Sequence, residues 1–134
     1  RNGLDLQDAW SDGAQAYMGV TTAGFPNLFM LYGPNTNQGS LITMIEWEVD
    51  HALAHIQRIV DEDLACVDVK EDVQAEYNEK IQKDIAAVEP WMDSCSGYYR
   101  SASGRVVTQW PHNMSAYRDM LAKFDPDAYD STPR

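Results

Sequence analysis

The sequence predicts an α/β fold. Taken as a fragment of a larger protein, the chain would be classed as α+β. Three observations support this class. An apolar run at residues 28–32 ends in a Gly-Pro turn, a helical repeat of apolar residues follows it, and residues 65–69 alternate in polarity before a second helical repeat. With 134 residues, the chain is long enough for one domain and too short for two ordinary ones.

The first clear element is a predicted strand at residues 27–32. Every position from Leu28 to Tyr32 is apolar, which is typical of a strand that is covered on both faces. Gly33-Pro34 ends the strand, and a run of polar residues leads into a helix. Such a turn directs backbone N–H groups and the positive end of a helix dipole at one point, which suits a phosphate, a carboxylate or an electron-rich ring.

The second element is a predicted amphipathic helix over residues 41–62. Its apolar residues recur every three or four positions, and a stripe of this kind normally faces the core. The stripe consists of Ile42, Ile45, Val49, Leu53, Ile56 and Val60. His51 and His55 lie one turn apart, but no glutamate stands between them. We therefore expect two histidines on the polar flank beside Glu46 and Asp50, and no metal site.

The remaining elements are shorter. We expect strands at residues 16–20, 65–69 and 106–110, and a helix at residues 71–88 whose apolar stripe packs on one side only. A last helix should begin at Asn113 or Ser115, both of which can cap it, and residues 125–134 should form a tail. The aromatic cluster of Trp91, Tyr98, Tyr99, Trp110 and Tyr117 is predicted to belong to the core, and the alternative is that it lines one side of an apolar substrate pocket.

Composition excludes several classes of function. The net charge of −11 argues against a nucleic-acid surface, and no apolar run approaches the length needed to cross a bilayer. We expect a cytoplasmic protein with Cys66 and Cys95 as free thiols. No Gly-rich nucleotide motif, nucleophile elbow or Cys/His constellation occurs, so no catalytic residue can be assigned.

Two motifs carry a resemblance to a known family. The combination of Phe-Pro-Asn-Leu-Phe at residues 25–29 with Gly-Pro-Asn-Thr-Asn at residues 33–37 closely resembles the C-terminal segment of Baeyer–Villiger monooxygenases, the class B flavoprotein monooxygenases that use FAD and NADPH. Residues 104–117 are similar to the 4-hydroxyacetophenone or cyclohexanone monooxygenase branch. The resemblance covers nearly the whole chain.

The resemblance implies a single partial domain from the C-terminal part of such an enzyme. Residues 1–62 would end a Rossmann-like FAD-binding domain, residues 63–124 would form a small cap, and residues 125–134 a tail. The parent enzyme would insert one oxygen atom of O2 into a ketone to give an ester or lactone. The Gly-rich turns and the catalytic arginine of the family are missing here, so we expect the fragment to be inactive alone and to bind neither FAD nor NADPH by itself.

The resemblance also assigns residues to the site. Residues at the start of the long helix would lie against the flavin ring: Asn35, Gly39, Ser40, Leu41 and Ile42. Three residues would border the substrate: Thr36, Asn37 and Gln38. Residues 95–104 match in place the mobile loop that covers NADP in relatives, although the tryptophan expected near Gly97 is absent.

A second hypothesis belongs to a different class of function. The chain could be a free-standing acidic α/β scaffold or binding module that holds no flavin. Under either hypothesis, a strand without its neighbours should leave an apolar patch, so we expect the chain to associate with itself.

Overall fold

The computed structural model describes residues 3–88 and 99–134 and combines helices with one small sheet. In chain order the elements are helix α1 (Leu6–Ala9), helix α2 (Leu41–Asp61), strand β1 (Leu64–Val69), helix α3 (Glu71–Ala86), helix α4 (Met114–Leu121), a 3-10 turn (Pro126–Ala128) and strand β2 (Tyr129–Pro133). The predicted mixture of α and β structure is confirmed, and α2 and α3 lie close to their predicted positions.

The predicted tail at residues 125–134 is wrong as a description of these residues, because they form β2. Strand β2 pairs antiparallel with β1, from Val69 opposite Tyr129 to Leu64 opposite Pro133, with a bulge beside Ala65. Only Tyr129 of β2 is buried, so the strand has no apolar alternation that the sequence could show. Hydrogen bonding to β1 therefore fixes its extended shape.

The predicted strand at residues 27–32 is also wrong. Asn27 and Tyr32 have φ values of 60° and 59°, outside the range of a strand, and they bracket the segment. The backbone N–H of Met30 donates to the carbonyl of Val20, but no neighbouring strand accompanies the run within the described residues. The run is consequently not covered on both faces, and Leu31 remains 49% exposed.

Helix α2 buries the face opposite to the predicted one. Its buried residues are Met44, Glu48, His51, Ala52 and His55. The apolar stripe that was expected to face the core points outward instead, with Ile42 73% exposed and Val60 69% exposed. The helix thus carries two opposed faces, of which this chain covers only the less apolar one.

The core lies between the buried face of α2, β1, α3 and α4. Its largest fully buried side chains include Tyr117, Met44 and Ile85. Asn113 caps α4 by accepting a hydrogen bond from the N–H of Ala116, as one of the two predicted caps. The stripe of α3 is buried at Ile81 and Ile85, which confirms a helix that packs on one side.

Two further predicted strands are wrong in detail. Residues 16–20 form a tight turn closed by a single bridge from Tyr17 to Thr21. Residues 106–110 run beside residues 35–37 and form an isolated parallel bridge between Gln109 and Asn37 rather than a strand. In both places the chain supplies single backbone hydrogen bonds instead of a continuous ladder.

Some predictions fall outside the described residues. These are Trp91, Tyr98 and Cys95, and the first part of the segment 95–104. Of the aromatic cluster, Trp110 and Tyr117 are buried with ring centroids 5.1 Å apart, whereas Tyr99 is 45% exposed. Cys66 is buried.

Candidate functional site

The candidate site is the polar turn between residues 33 and 42, and it begins where two backbones touch. Gly33 packs so tightly against the carbonyl oxygen of Gly19 that a Cβ atom at position 33 would overlap that oxygen. The hydroxyl of Thr36 donates to the Gly33 carbonyl at 2.8 Å and closes the turn. The first half of the site therefore packs directly on the turn at residues 17–21.

Asn35 connects the turn at residues 33–36 to the segment at residues 105–110. Its side-chain amide donates to the carbonyls of Val106 at 2.9 Å and Gln109 at 3.0 Å, and its backbone N–H donates to the carbonyl of Val107. Asn35 is 2% exposed and has a φ of 58°, a region that asparagine tolerates better than most residues. Its side chain is used within the chain and holds the turn in shape.

The three predicted substrate-side residues do not share one environment. Thr36 is only 1% exposed, so its side chain faces the interior of this chain. Asn37 and Gln38 are half-buried, and the side-chain amide of Gln38 donates to the carbonyl of His112 at 3.1 Å. Only Asn37 and Gln38 therefore offer side-chain surface on the outer side of the turn.

The open part of the site is the beginning of α2. Ser40 caps the helix, and its hydroxyl oxygen accepts from the backbone N–H and the hydroxyl of Thr43. Gly39 has a φ of +58°, and a Cβ there would come within 2.5 Å of the Met114 sulfur. Leu41 and Ile42 are exposed, and within the described residues their backbone N–H groups have no acceptor outside the helix.

This geometry favours a ligand with electron-rich acceptor atoms. The helix is 21 residues long, its first turn carries no acidic side chain, and the N–H groups of Leu41 and Ile42 have no acceptor among the described residues. A helix end of this kind stabilises nearby negative charge. The exposed side chains of Leu41 and Ile42 give the same position an apolar border, which suits a flat ring better than a small ion.

An apolar groove of about 400 Å³ lies beside the turn. It is lined on one side by Met30, Leu31, Tyr32, Gly33 and Pro34, and on the other by Trp10, Ala14, Val107 and Thr108. The size is in the range of small-molecule sites. Like the outer stripe of α2, the groove is an apolar surface that the described part of the chain leaves uncovered.

The two histidines of α2 lie in the core, which corrects the predicted polar-flank position. His51 is 5% exposed and its Nδ1 lies 2.9 Å from the carbonyl oxygen of Leu121, so Nδ1 carries the proton. His55 is fully buried, and neither ring nitrogen has a hydrogen-bond partner among the described residues. Burial and the neighbouring His51 and Arg58 lower the pKa of His55 to about 4.

The described residues give the histidine pair no third metal ligand. Within residues 3–88 and 99–134, no group of three His, Cys, Asp or Glu side chains is arranged to hold an ion. His55 instead contacts aromatic rings, with its centroid 4.2 Å from that of Tyr129 and 4.8 Å from that of Phe124. Its neutral ring behaves as part of an aromatic cluster.

Glu48 is a buried acid that sequence reasoning missed. It is fully buried on the inner face of α2, where one carboxyl oxygen accepts from the backbone N–H of Tyr32 at 2.6 Å and the other lies 2.9 Å from the hydroxyl of Tyr117. The signal was present in the spacing of Met44, Glu48, His51 and His55, which share one helical face. A more apolar stripe on the opposite face masked it.

None of the helices in the described ranges is long and apolar enough to cross a bilayer. This agrees with the absence of such a run from the sequence.

Comparison with known proteins gives the family context of the site. No protein-family model matches the chain. A Baeyer–Villiger monooxygenase from Pseudomonas aeruginosa is 40% identical over 135 residues, which cover 98% of this chain and 26% of that enzyme. An FAD-binding monooxygenase from Aspergillus niger is 35% identical across 90% of this chain and 21% of its own length. The chain thus spans about a quarter of the length of the curated relatives it matches.

Solved structures agree with the sequence relatives. A cyclohexanone monooxygenase from Rhodococcus sp. Phi1 bound to NADP+ matches all of this chain with a TM-score of 0.86 and 25% identity, over 26% of its own length. A steroid monooxygenase bound to NADP matches with a TM-score of 0.85 at 22% identity, which supports the fold alone. The resemblance indicated by the motifs is therefore confirmed, and the chain matches in sequence and fold a segment that makes up about a quarter of a Baeyer–Villiger monooxygenase.

Proposed function

We propose that this chain is the C-terminal part of a flavin-dependent Baeyer–Villiger monooxygenase and is inactive alone. The parent enzyme inserts one oxygen atom of O2 into a ketone and releases an ester or lactone. The main support is the match of nearly the whole chain to enzymes of this kind, together with an open helix start at the position that the resemblance assigns to the flavin. FAD, reduced by NADPH, supplies the oxygen-activating chemistry when it is bound.

The residues of this chain have distinct roles in the proposal. Asn35 and Thr36, buried and hydrogen-bonded within the chain, hold the turn in place. Gly39 and Ser40 set the start of α2, and the N–H groups of Leu41 and Ile42 face the electron-rich edge of the flavin ring. Asn37 and Gln38 border the substrate side.

In this proposal the chain contributes to two parts of the parent enzyme. Residues 1–62 complete the FAD-binding domain and residues 63–124 form a cap. Residues 129–133 pair with β1, so we assign them to the cap as well.

The outer stripe of α2 is proposed to contact the remainder of the enzyme. The curated relatives are about four times as long as this chain, and four of the six residues of the apolar stripe are exposed: Ile42, Leu53, Ile56 and Val60. Burying such side chains stabilises an interface by about 25 cal/mol per Å². The apolar groove at residues 30–34 is a second uncovered surface.

The helix start can be tested by introducing an acid there. In the native gene product, Ile42→Asp removes an apolar side chain from the stripe, a loss that the control below shares, and adds an acid that favours the first turn of the helix. The same charge should oppose the electron-rich ring and weaken FAD binding by about tenfold or more. FAD release measured by flavin fluorescence, together with urea unfolding, separates the two effects.

The matched control is Ile42→Gln, which removes the same apolar side chain without adding charge. It should retain more FAD than Ile42→Asp. Equal FAD affinity in the two variants would show that the start of α2 does not face the flavin.

The uncovered stripe predicts self-association of the isolated 134-residue chain. We expect light scattering to give a mass above that of the monomer, and Leu53→Glu combined with Ile56→Glu to return the chain to a monomer, since like charges would then face one another. Leu4→Glu, at an exposed apolar residue outside the stripe, should not change the mass. A wild-type chain that stays monomeric at high concentration would contradict this prediction.

A further inference from the structure

The hydroxyl of Tyr117 has two acceptor groups but only one proton. It lies 2.8 Å from the carbonyl oxygen of Met18 and 2.9 Å from one carboxyl oxygen of Glu48. The Met18 carbonyl can only accept a hydrogen bond. If Glu48 were ionised, one of these two contacts would place two acceptor oxygens against each other with no hydrogen between them.

We propose that Glu48 is a neutral carboxylic acid that donates its proton to Tyr117 Oη, and that the resulting chain of hydrogen bonds fixes the turn at residues 32–34. In this arrangement the Tyr32 N–H donates to one Glu48 oxygen, the other Glu48 oxygen donates to Tyr117, and Tyr117 donates to Met18. Every contact then has a donor and an acceptor.

The surroundings of Glu48 support a neutral side chain. Glu48 and Tyr117 are both fully buried. Burial raises the pKa of Glu48, and this effect outweighs the lowering that Tyr32 and Tyr117 would produce by donating to an ionised carboxylate. The other titratable groups on this side are the hydroxyl of Tyr77 on α3, which acts on Tyr117, and His51 one turn along α2, whose pKa burial lowers. None of these groups is a cation at neutral pH.

This series of hydrogen bonds links distant parts of the fold beside the candidate site. It joins α2 and α4 to the turn at residues 17–21 and to Tyr32, which directly precedes the tightly packed Gly33. Glu48 is thus a positioning residue for the turn. The further statement that this turn leads into a flavin-facing helix rests on the proposed function, whereas the protonation of Glu48 does not.

The test is Glu48→Gln in the 134-residue chain, because a glutamine amide can donate to Tyr117 and accept from Tyr32 as a neutral acid does. We expect the unfolding constant of E48Q to lie within about threefold of the wild-type value at about pH 5. The wild-type chain should lose stability as the pH rises from the ordinary pKa of a glutamic acid toward the raised one, since the unfolded chain releases this proton first. For each pH unit of that range, the unfolding constant of the wild type should rise about tenfold relative to that of E48Q.

Infrared spectroscopy reads the same proton directly. At about pH 7, where exposed acids are ionised, the wild-type chain should show the carbonyl band of a protonated carboxylic acid, and E48Q should lack it. The control Glu46→Gln, at an exposed position two residues away on α2, should keep both the band and the pH dependence.

An absent band, or a band that persists in E48Q, would overturn the proposal. If E48Q did not fold, the wild-type band at neutral pH would still decide the question. Neither measurement requires flavin, so a negative result here is distinct from a failure of the proposed function.

Discussion

Gly33→Ala is expected to destabilise the chain by about 3 kcal/mol, at the upper end of what overpacking a core usually costs. The added Cβ would overlap the backbone carbonyl oxygen of Gly19, and it would lie 3.0 Å from the Gly19 carbonyl carbon. A backbone atom cannot move aside by changing a rotamer. Relief therefore requires separating the turn at residues 17–21 from the turn at residues 32–34, which also carries the hydrogen bond from Tyr32 to Glu48. Urea unfolding gives the free-energy change.

Gly104→Ala is the control for this prediction. Gly104 has a φ of +85°, and no atom lies within 4 Å of the position that its Cβ would occupy. The substitution should cost about 1–2 kcal/mol from the unfavourable φ alone. If Gly33→Ala cost no more than Gly104→Ala, the close approach of the two turns would be refuted.

His55→Phe is expected to stabilise the chain at neutral pH by about 1 kcal/mol and to remove most of its sensitivity to acid. The buried imidazole has two nitrogens without hydrogen-bond partners among the described residues, and a phenyl ring avoids the cost of burying them. The new ring would join Phe29, Phe124 and Tyr129, which already contact this position.

The direction of the acid effect follows from the pKa of His55. Its folded value is about 4 against an ordinary value of 6.5. Between these values the unfolded chain binds more protons than the folded chain, so stability falls as the pH is lowered from about 6.5 to about 4. For one such group, the free energy of unfolding falls by about 3 kcal/mol over this pH range. Glu48 changes stability in the opposite direction, because its raised pKa favours the folded chain at low pH.

Unfolding by urea at neutral and at acid pH tests this account. His112→Gln is the control, because His112 is partly exposed and hydrogen-bonded to Asp84 rather than buried among rings. The control should retain the acid-induced loss of stability. A His55→Phe variant with the full wild-type loss would contradict the assignment of that loss to His55.

Helices α2, α3 and α4 could be predicted because their apolar residues recur with the helical period. The helical period did not indicate which face of α2 is buried in this chain. Its outer stripe is the more apolar one, but the inner face carries Met44, Glu48 and the two histidines, whose polar atoms are buried through contacts with distant residues. An apolar stripe shows that a surface should be covered, and it does not show which part of a protein covers it.

The strands were harder to predict for a related reason. Residues 28–32 have a strand-like composition, but a strand needs a neighbour, and within the described residues the backbone makes isolated hydrogen bonds, such as that from Met30 to Val20, instead of a ladder. Residues 129–133 lack that composition, yet they form a strand because β1 lies beside them. Pairing depends on residues far away in the chain, and local patterns do not contain it.

The candidate site was predictable as a location and less so in its contacts. The polar turn and the start of α2 lie where the Gly-Pro signal and the apolar repeat of residues 41–62 placed them. The burial of Asn35 and Thr36 depends on residues 105–110, which are about 70 positions away and carry no local sign of this pairing.

The most direct test of the proposed function is the mass and flavin content of the native gene product. We predict a polypeptide about four times as long as this chain, as in its curated relatives, that purifies with bound FAD and oxidises NADPH faster when a ketone is added. A native product of 15.1 kDa that carries no flavin would contradict the proposal and favour the free-standing scaffold.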